Sequence, residues 1–420
     1  MRRSRRHFLA GGLAAASTLA FGSSARAASR ARVAVVGGGY GGATAARYIR
    51  LLDPSIEVVL VEANEAFVSC PLSNMVLAGF KAMSDITRPY DGLSASGIRV
   101  VRDVATAVDP EKGQVRLARG DPIAFDRAVI APGVDFMWSE LPAMNDERAQ
   151  AAVLHAWKAG PQTAALRRQL EEMRDGGLFV ISIPEAPFRC PPGPYERACQ
   201  VAAYFKRAKP RSKVLIVDAN EDVLSKGALF KRAWAELYPG LIEYQPNSKA
   251  VDVDVATRTV KLEFGDVKGD VLNVLPPMKA GNAAAPFITA NGRWCEVDWL
   301  TYESKAARRV HVLGDSLQIA PLMPKSATMA NGHGKVCASA LVDLFNDREP
   351  NPSPTLVNTC YSMVSERLSI HVASVHKYDA KERTMKPVPG AGGLSPAMSE
   401  AEGEYAMGWA RNIWSDALGA

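Results

Sequence analysis

RVAVVGGGYGGATAA, residues 32–46, is the stretch whose reading decides the fold. Arg32 to Val36 is a short apolar, β-branched run of the kind found in a buried parallel strand, and the glycines after it open a helical stretch through about Leu52. Gly37, Gly39 and Gly42 keep the G-x-G-x-x-G spacing, which provides a tight turn, close backbone approach to a pyrophosphate, and close packing of helix on strand. The pyrophosphate then lies at the helix N-terminus, where free N–H groups and the helix dipole favour an anion. A second strand, Glu57 to Val61, ends in Glu62, where an acidic side chain meets the ribose hydroxyls. Strand, loop, helix, strand and acid in this order predict a dinucleotide-binding Rossmann-like domain.

Two distant segments choose the dinucleotide. RAVIAPG, residues 127–133, resembles the strand and turn with which two-dinucleotide-domain flavoproteins close their FAD domain. RVHVLGD, residues 309–315, resembles their late strand ending in Gly-Asp. Gly133, Gly314 and Asp315 therefore join Gly37, Gly39, Gly42 and Glu62 as expected FAD-binding residues.

A second α/β unit is nested between these segments, with strands at Leu178 to Ile183 and Lys213 to Val217 around a helix at Tyr195 to Arg207. Its first turn is PEAPFRCPPGP, residues 184–194, where a nicotinamide nucleotide would need glycines. Prolines have no N–H to donate and fix φ, so they cannot form a cradle of amides. The unit is expected to keep the architecture and to bind no NADH. Such a rigid turn is suited to holding one side chain, Cys190. The segment PKSATMANGHGKVC, residues 324–337, reads as the helix that points its N-terminus at the pyrimidine end of the flavin, and it carries Cys337.

With 420 residues, two or three domains are expected. The N-terminus carries Arg2, Arg3, Arg5 and Arg6, a mildly apolar run to Phe21 and an A-x-A site at Ala25 to Ala27, the order of a twin-arginine export signal. The formal charge of +6 includes these arginines and Arg26, and removing the five leaves about +1. The basicity is mostly signal, so nucleic acid and an acidic membrane surface are not expected as partners. No other apolar run reaches the roughly 18 residues of a transmembrane helix. His155, His311, His333, His371 and His376 show no metal-ligand spacing, so no metal is expected. The mature chain keeps Cys70, Cys190, Cys199, Cys295, Cys337 and Cys360, and spacing alone cannot choose among fifteen full pairings. No C-x-x-C-H occurs, so no haem c attaches to this chain by that motif.

FRCPPGPYERA around Cys190, SCPLSN around Cys70 and PLMPKSATMANGHGKVCASAL around Cys337 closely resemble the flavoprotein subunit of flavocytochrome c sulfide dehydrogenases, over essentially the whole mature chain. The resemblance implies that Cys190 and Cys337 form a redox-active disulfide at the flavin. It implies that Glu196 is a proton acceptor beside that disulfide, and that Cys70 joins FAD covalently, although Pro71 follows it where some members carry an aromatic residue. It implies hydrosulfide as the substrate and a c-type cytochrome subunit as the partner that carries the haem. Cys199, Cys295 and Cys360 are expected to be structural or inert.

The expected fold is α/β: two Rossmann-like dinucleotide-binding-type domains of the disulfide-oxidoreductase kind, plus a C-terminal α+β interface region. The expected boundaries are an export signal at 1–27, FAD-binding segments at 28–145 and 266–348, a second unit without a nucleotide loop at 146–265, and the interface region at 349–420. The signal implies a periplasmic enzyme. A sulfide:quinone oxidoreductase is the nearest rival, against which the charged C-terminus argues. A non-catalytic flavoprotein modulating a sulfur-oxidising complex is another.

Overall fold

The structure is a computed structural model that describes residues 31–419, so the expected export signal at 1–27 lies outside the described residues. The first sheet is wholly parallel. It contains β1 (Ala31–Val36), β2 (Ile56–Glu62), β3 (Arg99–Arg102), β4 (Arg127–Ile130) and, from much later in the chain, β9 (Val310–Val312), in the spatial order β9-β4-β1-β2-β3. The glycine loop leads from β1 into α1 (Tyr40–Leu52) as the sequence predicts. Gly37 has φ of 97°, and a Cβ there would lie 2.4 Å from the Ala131 carbonyl oxygen. At Gly42 a Cβ would lie 1.9 Å from the Gly37 carbonyl oxygen, so only glycine lets the helix start this close to the strand.

The second sheet has the order β7-β6-β5-β8, from β5 (Leu178–Ile183), β6 (Lys213–Asp218), β7 (Ile242–Gln245) and β8 (Val271–Val274), and is also parallel. Because β8 completes this sheet against β5, the second unit extends past the expected boundary at 265 to at least Val274. Helix α3 (Gly193–Ala208) follows the proline turn and is buried along most of its length.

Where a nucleotide-binding relative would offer an acid to a ribose, Asp218 is completely buried and already engaged. One carboxylate oxygen accepts the Tyr195 hydroxyl at 2.6 Å and the Tyr244 hydroxyl at 3.2 Å. The other accepts the Asn220 backbone and side-chain N–H groups at 3.0 and 2.7 Å. Protein side chains satisfy the group that would recognise the cofactor.

The C-terminal region is an antiparallel meander, β10 (Thr355–Met363), β11 (Ser369–Asp379) and β12 (Thr384–Leu394), followed by α6 (Glu400–Leu418), which is capped by Ser399. Helix α6 crosses back onto the first domain. The Trp414 indole N–H donates to the Tyr40 hydroxyl at 3.1 Å, and Asp416 receives the Lys335 ammonium at 2.8 Å and the Tyr48 hydroxyl at 2.6 Å. Among the described residues, no helix is long and apolar enough to cross a membrane.

With Asp218 satisfied internally and prolines in the turn, NADH at millimolar concentration is expected to produce no binding heat in calorimetry and no bleaching of bound flavin. A measurable heat with one-to-one saturation would overturn this reading.

Candidate active site

The expected FAD-binding residues gather at the carboxyl end of the first sheet. Gly39 caps α1 without any side-chain hydrogen bond, and a Cβ there would meet nothing within 4 Å. The same is true of Gly133 at φ of 72°. The helix N-terminus thus has open space beside free N–H groups, the condition for an anion. Glu62 stands at the end of β2, where one of its oxygens accepts the Gly38 N–H at 2.6 Å and the other accepts the backbone and side-chain N–H groups of Asn64. Asp315 Oδ1 is buried with no partner, and burial raises the carboxyl's pKa against the pull of Arg189 and Lys325. An orphaned buried carboxylate oxygen at the same end of the sheet as an open glycine cradle fits a polar dinucleotide. Gly314, at φ of 68°, makes the turn that presents Asp315.

The proline turn places Cys190 from the other side. Cys190 has φ of 59°, and its N–H donates to the Lys325 carbonyl at 2.9 Å, just before α5 (Ala327–Phe345). Arg197 fixes the start of α3. Only 2% exposed, it donates to Asn74 Oδ1, Asn273 Oδ1 and the carbonyls of His155 and Ala156 at 2.7–3.0 Å, and it lies over the Trp157 ring. Neighbouring Arg189 donates to the Trp157 carbonyl, and the charges it feels are those of Cys70, Asp315 and Cys190. This guanidinium joins the FAD-side residues to the sulfur side, and nothing in the sequence pattern distinguished it from a surface arginine. Cys70 Sγ accepts the Ala159 N–H at 3.5 Å in the same cluster, in the loop before α2 (Ser73–Ala78).

Cys337 does not reach this place, and the expected pairing with Cys190 is corrected. It lies on α5 eleven residues beyond the cap Ser326, about 16 Å along the axis at 1.5 Å per residue, whereas bridged cysteines need Cα atoms within about 7 Å. It is completely buried beside Tyr302, and among the described residues the one charge that bears on its thiol is Arg127, at the amino end of β4. The cysteine beside Cys190 is Cys360, on β10. After burial, Cys360 is the largest influence on the Cys190 thiol, which is pushed up to about 12. No two cysteines are bonded to each other in the structure. The expectation that Cys360 is inert is therefore also revised. The start of α5 holds its strand in place: Thr328 donates to the Thr359 carbonyl at 2.8 Å, and Ser326 donates to Asn358 Oδ1 at 2.7 Å, which Cys360 Sγ approaches to 3.3 Å.

Glu196, in the first turn of α3, lies close enough to bear on both sulfurs. It accepts the Met363 N–H at 3.4 Å, and burial raises its pKa to about 7 against the pull of Lys226 and Arg197. Lys226, just before α4 (Gly227–Leu237), is the second group that sequence reading missed. Burial lowers its pKa to about 8, and it feels Cys360, Glu196 and Cys190 in that order. The arrangement is two thiols, one carboxyl that titrates near neutrality, the buried Lys226 and the half-buried Arg189 on one side of a dinucleotide cradle. That is the equipment of a dithiol–disulfide redox centre with its own proton acceptor.

Fold and site together define a FAD-dependent oxidoreductase of the disulfide-oxidoreductase kind. Residues 31–172 match the pyridine nucleotide-disulphide oxidoreductase family, residues 163–276 the central part of the sulfide dehydrogenase [flavocytochrome c] flavoprotein chain, and residues 352–418 the flavin-binding part of flavocytochrome c sulphide dehydrogenase. Over 45 residues, 11% of this chain and 94% of the relative, it is 67% identical to the sulfide dehydrogenase [flavocytochrome c] flavoprotein chain of Chlorobaculum thiosulfatiphilum. The chain belongs to this family of flavocytochrome c sulfide dehydrogenase flavoprotein chains. It is also 22% identical over 342 residues, 75% of this chain and 72% of the relative, to the mitochondrial sulfide:quinone oxidoreductase of Mus musculus. The solved sulfide:quinone oxidoreductase of Aquifex aeolicus shares its fold, with a TM-score of 0.75 at 16% identity over 93% of this chain and 92% of that one.

A carboxyl whose folded pKa is raised stabilises the fold while protonated and loses that contribution as pH rises. For Glu196 the loss accumulates between about pH 4.5 and 7. Glu196→Gln is therefore expected to match the wild type in thermal midpoint at pH 5 and to exceed it at pH 8. A variant less stable than the wild type at pH 8 would mean that the ionised carboxylate is the form the fold favours.

Proposed function

We propose that this chain is the flavin-bearing, sulfide-oxidising subunit of a flavocytochrome and that it works through a disulfide between Cys190 and Cys360. The observation that carries this reading is the convergence of those two sulfurs, with Glu196 and Arg189, at the start of α5. Gly37, Gly39, Gly42, Glu62, Gly133, Gly314 and Asp315 would hold FAD, and Cys70 is the side chain for a covalent bond to it. FAD, when bound, supplies a two-electron acceptor that can release electrons singly.

The chain's own residues account for the sulfur chemistry. Hydrosulfide attacks one sulfur of the Cys190–Cys360 bridge. The sulfur–sulfur bond breaks, the attacked cysteine becomes a persulfide, and the other leaves as a thiolate. Glu196, titrating near neutrality in a buried pocket, takes the persulfide proton. Arg189, shared among Cys70, Asp315 and Cys190, keeps the Cys190 side of the site electropositive toward the incoming hydrosulfide. The electrons leave through a c-type cytochrome on a separate chain, and the arginine-rich N-terminus directs export to the periplasm.

Anaerobic titration of the oxidised protein with sulfide is expected to bleach the flavin. Cys190→Ser and Cys360→Ser should each slow this by at least about a hundredfold, while Cys337→Ser should leave it unchanged. Equal bleaching in Cys360→Ser would overturn the pairing, and failure of the wild type to bleach would overturn the function. Acid precipitation is expected to leave the flavin with the wild-type protein and to release it from Cys70→Ala.

A quinone acceptor is the second reading, favoured by the likeness to sulfide:quinone oxidoreductases along most of the chain. Oxidised cytochrome c should reoxidise the sulfide-reduced protein faster than a soluble quinone does; the reverse order would select the quinone.

A further inference from the structure

A disulfide has two sulfurs that hydrosulfide could attack, and the structure treats them unequally. Lys226 is 4% exposed and sits at φ of 60° at the start of α4, which carries its ammonium into the protein. Its Nζ donates to the Cys360 carbonyl at 2.9 Å and to Ser362 Oγ at 2.7 Å, and it lies 5.7 Å from the centre of the Phe230 ring. An ammonium has three protons to donate, and among the described residues the third has no protein acceptor. Nor is there a carboxylate within salt-bridge distance of Lys226 among those residues. A buried cation with no carboxylate partner is costly, and an anion that forms beside it is strongly stabilised.

Cys360 is the candidate for that anion. Its own carbonyl anchors the ammonium, its strand is tied to the N-terminus of α5 by Thr328 and Ser326, and its sulfur lies 3.3 Å from Asn358 Oδ1. A lysine and a helix N-terminus are the two features that most readily stabilise a thiolate. The other charged or titratable groups that bear on Lys226 are Glu196 from α3, Cys190 from the proline turn and Glu402 from α6, the last already held by His371 Nδ1 at 2.8 Å. The guanidinium beside Cys190, Arg189, is shared with Cys70 and Asp315.

We propose that Lys226 is a positioning cation that makes Cys360 the leaving thiolate and so directs hydrosulfide onto Cys190. This rests on the Cys190–Cys360 disulfide reading above. Hydrosulfide sulfur bonds to Cys190 Sγ, the Sγ–Sγ bond breaks, and Cys360 leaves with the electron pair. The persulfide proton on Cys190 passes to Glu196. A lower-pKa thiol leaves faster, so the charge beside Cys360 decides the direction.

The test reads each thiol separately. The protein is reduced and alkylated with iodoacetamide across a pH series, and the rate at each cysteine is followed by peptide mass spectrometry. In the wild type the apparent pKa of Cys360 is expected to lie at least about one unit below that of Cys190, a tenfold difference in thiolate. Lys226→Met should raise the Cys360 value more than that of Cys190 and so close the gap, and Lys226→Arg should restore most of it. Equal values in the wild type, or an unchanged gap in Lys226→Met, would overturn the proposal. If Lys226→Met fails to fold, the wild-type gap and Lys226→Arg still decide. A sulfide pulse followed by alkylation should leave the extra sulfur on Cys190, and extra sulfur on Cys360 would overturn the assignment. A protein that keeps the gap but does not react with sulfide would sink the sulfide reading while supporting Cys360 as the leaving thiolate.

Discussion

The contact between α1 and α5 is the constraint on which the rest of the site depends. A Cβ at Gly334 would lie 2.6 Å from the Gly41 carbonyl oxygen, and one at Gly41 would lie 3.3 Å from that of Ala330. Backbone meets backbone here because neither glycine has a side chain, and Asn331 closes the seam by donating to Thr44 Oγ1 at 2.9 Å. The close approach sets the N-terminus of α5 beside the end of the glycine loop. Everything on the sulfur side is then referred to that point: Lys325 receives the Cys190 N–H, while Ser326 and Thr328 hold the strand that carries Cys360.

Around this frame the protein buries an unusual amount of charge. Arg197 is held by four oxygen acceptors and a tryptophan face, so its geometry is rigid even though burial lowers its pKa to about 9. Glu196, Lys226 and Asp315 are less well satisfied: burial pushes each toward its neutral form. Lys325 is pushed down to about 7 in the same way, even with its ammonium over the Trp294 ring at 3.6 Å and bonded to the Asp315 carbonyl. Well-satisfied charges provide the scaffold, and poorly satisfied ones lie where protons and electrons would move.

The C-terminal meander, expected as an interface region, is part of the site. Its first strand brings Cys360 to Cys190 and the Met363 N–H to Glu196, and its last helix lays Trp414 on the tyrosine of the glycine loop. Gln200, one helical turn beyond Glu196, ties the same strand to α3 through the carbonyls of Met363 and Ser365. The region expected as an interface therefore also completes the centre.

Local sequence determined the parts whose cause is local. Gly37 and Gly42 after a β-branched run dictate the strand, turn and helix, because no residue with a Cβ fits the close approach at either position. The prolines at 184–194 exclude an amide cradle wherever the chain folds. The partner of Cys190 was not legible, since Cys337 and Cys360 are equally plausible by type and spacing. What separates them is the rise of a helix that carries one sulfur away and the return of a strand that brings the other in. Lys226 and Arg189 were silent for the same reason: a lysine or arginine becomes an active-site cation only when packing draws it out of bulk water and against its partners, and that is decided by tertiary structure.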